Sequence, residues 1–396
     1  MNAITYQEEM SGELQSILQY WMLNTPDEEQ GGFIGRIDGA DQPHPDAPKG
    51  LVLNSRILWS FSAAWRLTGQ FIYRPFATLA YDYLITRFCD PASGGFFWSL
   101  DAAGRPLNTR KQIYGQAFAL YGLSEYYHAT GEQAVLDKAI ECYQLIERHS
   151  FDKEQGGYFE AYDRDWRLLE DLRLSEKDAN EKKTMNTHLH ILEAYTTLYT
   201  VWPDQRLREQ IGHLLGVFDS RIIHPHTGHL GLFFTADWQP RSTLVSYGHD
   251  IEAAWLLHEA ASAIGDREWI ARTGERCLRI ADSTLGGIDE DGGLWYEKGD
   301  GRLVREKHWW PQAEAMVGFL RAWSISGDSR WWEASAKSWD FVKRYIRDPR
   351  GKEWYWGVDA DHTPMTGQDK AGFWKCPYHN SRACMQVIRL LSKKIP

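Results

Sequence analysis

The sequence predicts an all-α fold, an (α/α)6 barrel of six inner and six outer helices whose repeats are linked by short β-hairpins. Three observations predict it. A glycine-led aromatic motif recurs six times, the intervals between copies carry helical apolar spacing, and glycines stand where two helices would join.

The six copies run along the whole chain. Gly31 opens GGFIGRID, Gly94 opens GGFFWSLDAAGRPL and Gly156 opens GGYFEAYDRDWRLL. Gly231 opens GLFFTADWQPR, Gly292 opens GGLWYEKGDGRLV and Gly351 opens GKEWYWGVDADHTPM. Their starts differ by 63, 62, 75, 61 and 59 residues. Each copy has glycine, short alternating aromatic segments and a polar Asp/Gly turn, which is the pattern of a hairpin.

Two helices fit each interval. The spacing predicts a pair at 114–130 and 132–149, and another at 249–264 and 266–281. Gly131, Gly265 and Gly327 fall at the joins, in the related turns ATGEQ, AIGDRE and ISGDSR, where a left-handed cap favours glycine. Six helical pairs close most economically into a ring, whereas an open array would need polar capping repeats at its ends. The expectation is one catalytic domain over residues 1–396, a length that such closed architectures reach as one unit.

Composition narrows the function. The chain is 43% hydrophobic and 25% charged with a net charge of −10, which argues against a nucleic-acid surface built on clustered Lys and Arg. No apolar run reaches membrane-spanning length. The five cysteines are odd in number and lack CxxC spacing, so neither a disulfide framework nor a zinc ribbon is expected. The opening MNAITYQEEMSGELQS has no basic and apolar leader pattern, and the expected location is cytoplasmic. The 19 Trp, 19 Tyr and 16 Phe serve packing or a groove for a flat ligand such as a sugar ring.

One polar or aromatic cluster follows each hairpin, at the start of the helix expected to be inner. These are Arg56 in LNSRILWSFS, Tyr114 in KQIYGQAFAL, Asn186 and His190 in KTMNTHLHILEAY, and His249 and Glu252 in SYGHDIEAAWLL. Trp309, Trp310 and Glu314 follow in KHWWPQAEAM, and Trp374 and His379 in FWKCPYHNSRAC. The same place in each repeat puts all six clusters at one end of the ring. Asn186 and His190 share a helical face, as do His249 and Glu252. His188 points roughly 200° away from His190 and is expected to pack or hydrogen-bond outside the site. His224, His226 and His229 lie outside the recurrent position and are expected at the surface.

The chemistry of this set suits proton transfer next to a carbonyl. Histidine is both acid and base near neutrality. Cleavage of a glycoside normally needs two opposed carboxylates, and the recurrent position offers only Glu252 and Glu314. Two bases on opposite faces of an opened sugar can invert C2 through an enediolate. Arg56 cannot act as a base and can stabilise the oxyanion. Glu252 can fix an imidazole tautomer or bind a hydroxyl. Trp374 and one of Trp309 and Trp310 can stack on sugar faces. His190, His249, His379 and a carboxylate could together hold a metal, but neither HExxH nor CxxC occurs and no metal is expected.

YGHDIEAAWLL, KHWWPQAEA and FWKCPYHNSRACMQ closely resemble the cellobiose 2-epimerases of the N-acylglucosamine 2-epimerase superfamily, and NSRILWSFS, YGQAFALYGLSEYY and NTHLHILEAYT match too. The resemblance spans nearly the whole chain. It implies a monomeric or weakly associating (α/α)6 barrel that needs no cofactor and acts on a disaccharide. It implies that His249 and His379 exchange the C2 proton while His190 assists ring opening. Arg56, Tyr114, Asn186 and Glu252 would bind the reducing-end ring, and Trp310 and Trp374 the disaccharide, with Trp309 and Glu314 completing the expected binding set. The alternatives are an aldose–ketose isomerase or N-acylglucosamine 2-epimerase of the same superfamily and, less well supported, a glycoside hydrolase.

Overall fold

In a computed structural model, which describes residues 1–299 and 301–392, the chain forms twelve α-helices among the described residues. Asp300, in the expected turn of the fifth hairpin, lies outside them. The helices are α1 (Ala3–Asn24), α2 (Leu51–Thr68), α3 (Arg74–Tyr83), α4 (Ile113–Thr130), α5 (Gln133–His149), α6 (Met185–Val201), α7 (Gln205–Val217), α8 (Tyr247–Ile264), α9 (Arg267–Leu285), α10 (Trp309–Ser326), α11 (Ser329–Phe341) and α12 (Tyr378–Ser392). Among the described residues, no helix is long and apolar enough to cross a membrane.

The even-numbered helices are the inner ring. Each packs on the next, and α12 returns to α2, so the ring is closed. Inner and outer helices differ in burial. In α4 every residue from Ile113 to Tyr126 is buried, whereas α5 buries only Val135, Leu136, Ala139, Cys142, Tyr143 and Ile146, one apolar stripe. The chain's first helix is an outer one and packs on its last, α12, which ties the two ends of the sequence together. Inner helices approach closely where the repeat carries a small residue. A Cβ at Gly122 would lie 2.8 Å from the Ser55 carbonyl oxygen, and one at Gly318 would lie 2.6 Å from that of Ile251.

Gly131, Gly265 and Gly327 take the left-handed cap conformation that their position suggested, with φ of 71°, 65° and 74°. The hairpins behave differently from expectation. Most reduce to one bridge, such as Tyr162 with Leu168 or Val358 with Pro364. Their main pairing is sideways, to the next repeat. Lys49–Gly50 pairs antiparallel with Ser99–Leu100, Lys111–Gln112 with Ala161–Tyr162, Lys183–Thr184 with Phe233–Phe234, and Lys307–His308 with Gly357–Val358. Val245–Ser246 pairs likewise with Lys298 and Glu297. An Ile37–Ala371 bridge joins the first repeat to the last. These short ladders make a second ring over one end of the helices.

The fourth motif starts three residues earlier than its aromatic pattern suggests. The residue with the turn glycine's backbone is Gly228, φ 78°, not Gly231. His224 fills the place of Asp152 in the third repeat. Its Nδ1 accepts the amides of His226 and Thr227, as Asp152 accepts those of Glu154 and Gln155. The exchange is concerted. Elsewhere a buried lysine before the inner helix pairs with the turn acid, as in Lys49–Asp27, Lys183–Asp152 and Lys307–Asp289. Val245 stands in that place in the fourth repeat, so neither charge is left alone.

Candidate active site

The inner-helix starts surround a cavity of about 1110 Å³ at the hairpin end of the ring. Arg56, Tyr114, Asn186, His190, His249, Glu252, Trp309, Trp310, Trp374 and His379 all line it. The first turns, and the segment just before α12, place them there because the inner helices begin at the same end of the ring, α2, α4, α6, α8 and α10 directly after a short strand.

Three imidazoles face this space, each tied from behind. His190 Nδ1–H donates to Glu193 Oε2 at 2.9 Å. His379 Nδ1–H donates to Glu314 Oε1 at 2.7 Å. His249 Nδ1 lies 2.8 Å from Ser246 Oγ. Tying Nδ1 leaves Nε2 for the cavity, and the carboxylate acceptors select the Nδ1–H tautomer of His190 and His379. Burial lowers all three imidazoles. His249 is pushed down to about 3, with His190 adding to the effect, and His379 is held well below the usual range by burial and by Arg56 and Arg382. His190 is lowered by burial against the opposing pull of Glu193.

Glu314 does not belong to the cavity wall, which corrects its expected substrate contact. Its Oε1 also accepts from Arg382 Nη2 at 2.6 Å, and its Oε2 accepts from the Trp255 indole at 3.0 Å. Both oxygens are spent on positioning. Arg382 is a residue that the sequence pattern missed. It is fully buried and joins three carboxylates: Glu193 through Nη1, and Glu252 (2.5 Å) and Glu314 through Nη2. Tyr378 donates to Glu193 at 2.6–2.7 Å. Although burial opposes it, Arg382 with these bonds holds Glu193 at about 2. Burial and the neighbouring Glu314 push Glu252 up to about 8.

Glu252, Glu314 and His379 bring ligand atoms within 4.8 Å of one another, a grouping that can hold a cation. The Arg382 guanidinium already bonds Oε1 of both carboxylates, and His379 Nδ1–H points at that of Glu314. This donor set is committed to a protein cation.

Aromatic rings shape the rest. Trp310 lies 4.7 Å from the His249 ring and 5.7 Å from that of His379. Trp309 is more deeply buried, against Trp356 and beneath Lys375. The Arg56 guanidinium sits 4.1 Å over Phe118 and donates to the Tyr114 hydroxyl at 2.8 Å. Asn186 Oδ1 and Trp309 Nε1 are buried without a protein partner among the described residues.

A family model described as N-acylglucosamine 2-epimerase (GlcNAc 2-epimerase) matches residues 32–383. The chain belongs to the N-acylglucosamine 2-epimerase family. It is 49% identical to a cellobiose 2-epimerase of Bacteroides fragilis over 96% of this chain and 98% of that one. It is 41% identical to one of Dictyoglomus turgidum over 94% of this chain and 95% of that one. The solved cellobiose 2-epimerase of Bacillus thermoamylovorans superposes with a TM-score of 0.93 at 40% identity, covering 97% of this chain and 99% of that one.

Two further histidines of this family member, His188 and His229, brace the fold. His188 accepts the Tyr158 amide at Nε2 (2.8 Å) and donates from Nδ1 to the Thr184 carbonyl (2.7 Å), outside the cavity as its phase predicts. His224 and His226 are exposed, but His229 is half-buried and bonds Asp250 at 2.7 Å, so it is a brace and not a free surface group. The cavity is also walled by residues 172–179, Tyr296, Glu297 and Glu306, on segments between the helices that the helix-start pattern could not register.

Proposed function

We propose that this chain is a cellobiose 2-epimerase, reversibly inverting C2 of the reducing-end glucose of β-1,4-linked disaccharides, cellobiose to glucosyl-mannose and lactose to epilactose. One observation carries the reading: three imidazoles are tied at Nδ1 from behind and turn Nε2 into one cavity. The identity to curated cellobiose 2-epimerases supports the substrate class.

In this reading His190 assists opening of the ring to the aldehyde. One of His249 and His379, neutral, takes the C2 proton on Nε2. The C–H electron pair enters the C1–C2 bond and the charge moves to O1, beside Arg56. The other imidazole, protonated, returns a proton to the opposite face of C2, and the ring closes. Arg56, Tyr114, Asn186 and Glu252 hold the reacting ring, while Trp310 and Trp374 hold the disaccharide, with Trp309 as wall. The five free cysteines support a reducing compartment, the cytoplasm, and a monomer satisfies the mechanism because every group comes from one chain.

Incubation with cellobiose in heavy water, followed by NMR, tests this. Glucosyl-mannose with deuterium at C2 is expected. Product without deuterium at C2 overturns the proton transfer, a ketose product shows aldose–ketose isomerisation, and released glucose shows hydrolysis.

A further inference from the structure

His249 and His379 occupy the same position of their repeats, each three residues after the second residue of the short pre-helix segment, Ser246 and Cys376. Their braces differ. His379 is held by Glu314, from the inner helix of the preceding repeat. The residue equivalent to Glu314 in the repeat before His249 is His190, an imidazole already bonded to Glu193. The neighbouring helix therefore supplies no carboxylate, and His249 is braced from its own repeat. Ser246 Oγ lies 2.8 Å from its Nδ1. Ser246 is fully buried, does not line the cavity, and makes no other side-chain hydrogen bond among the described residues.

We propose that Ser246 is a positioning residue of the reaction, whose hydroxyl hydrogen-bonds Nδ1 of His249, orients the ring with Nε2 toward C2, and keeps the two proton-exchanging imidazoles unequal. The proposal rests on the two-histidine reading above. When His249 acts as base, the C2–H bond breaks, its electron pair enters the C1–C2 bond, Nε2 gains the proton, and Nδ1–H stays on Ser246. On return the Nε2–H bond breaks and the new C2–H bond forms. A hydroxyl orients the ring through both states yet carries no charge to neutralise the imidazolium. Glu314 can do so for His379. Without the hydroxyl, the His249 ring is free to turn Nε2 away from C2.

The test compares the unaltered enzyme with Ser246→Ala and Ser246→Thr in heavy water, starting separately from cellobiose and from glucosyl-mannose. NMR follows deuterium at C2 of both the remaining substrate and the product. The expected result for Ser246→Ala is a kcat about tenfold lower, the size of a lost orienting hydrogen bond, with KM within about twofold because the hydroxyl is off the cavity wall. For one of the two sugars only, the one whose C2 proton faces His379, deuterium should enter remaining substrate faster relative to inversion than in the unaltered enzyme. Ser246→Thr, which restores a hydroxyl where the third repeat has Thr184, should return both readouts. Equal loss of exchange and inversion from both sugars, or unaltered rates in Ser246→Ala, overturns the proposal. Absence of C2 deuterium in the unaltered enzyme overturns the two-histidine reading itself and the role of Ser246 with it.

Discussion

Glu314 accepts Nδ1–H of His379 at 2.7 Å on one oxygen and the indole N–H of Trp255 at 3.0 Å on the other. Glu314→Gln replaces one acceptor by an N–H donor. Either orientation sets the new donor against a donor, Trp255 on one side or Arg382 and His379 on the other. The His379 tautomer is then no longer specified, and kcat should fall on the order of 100-fold, the scale of lost general acid–base catalysis. KM should move little, because neither oxygen faces the cavity. Steady-state kinetics on cellobiose checks this split.

Arg382 neutralises a cluster that the barrel could not otherwise bury. Glu193, Glu252 and Glu314 all bond its two terminal nitrogens. Arg382→Met leaves three carboxyl groups in the core without their cation, and a broken buried pair costs about 3–5 kcal/mol. Arg382→Lys keeps the charge but not the fork that reaches both sides, so its loss should be smaller. Denaturant unfolding of the two variants measures the difference.

The repeats were legible because their signals are local. A positive-φ glycine, an aromatic pair and a polar turn leave a mark within a few residues, and Gly131, Gly265 and Gly327 needed no tertiary information. The error of three residues at Gly231 arose where the usual Gly-Gly is Gly228-His229. The convergence of Arg56, Tyr114, His190, His249 and His379 on one cavity followed from their shared repeat position. Arg382 was invisible for a different reason. Its bond to Glu193 spans 189 residues, and its surroundings in sequence show only an arginine one turn into a helix. Glu314 has the right repeat position, but which way its carboxylate turns depends on Trp255 and Arg382, and spacing encodes neither.

Trp310 has room to lie beside the two histidines because the residue facing it is glycine. A Cβ at Gly248 would fall 2.6 Å from the Trp310 ring. Gly248→Ala should push the indole off its place and raise KM. Trp310→Ala should raise KM about tenfold, equivalent to roughly 1.4 kcal/mol of lost aromatic contact. Substitution of the more deeply buried Trp309 by Phe should affect KM less. Cellobiose titrations of the three variants rank them.

His188→Gln isolates a pH effect without touching the cavity. Gln116 and Gln312 stand at the same repeat position and bond both the N–H and the carbonyl of Phe96 and of Leu294, in the hairpin beneath. A glutamine at 188 can make the same pair of bonds to Tyr158, so the fold at neutral pH should be kept. Burial holds His188 at about 3, whereas an unfolded chain titrates it near 6.5. The unfolded state therefore binds this proton first as pH falls. Its contribution to stability is complete above about 6.5 and lost progressively down to about 3, at up to about 1.4 kcal/mol per pH unit. Glutamine does not titrate, so the variant should lose less stability than the unaltered protein between pH 6.5 and 4. His249, lowered by the same cause, and Glu252, raised by burial, contribute equally to both proteins and cancel in the difference. Denaturant unfolding at a series of pH values reads that difference, and parallel curves would show that His188 is not held neutral.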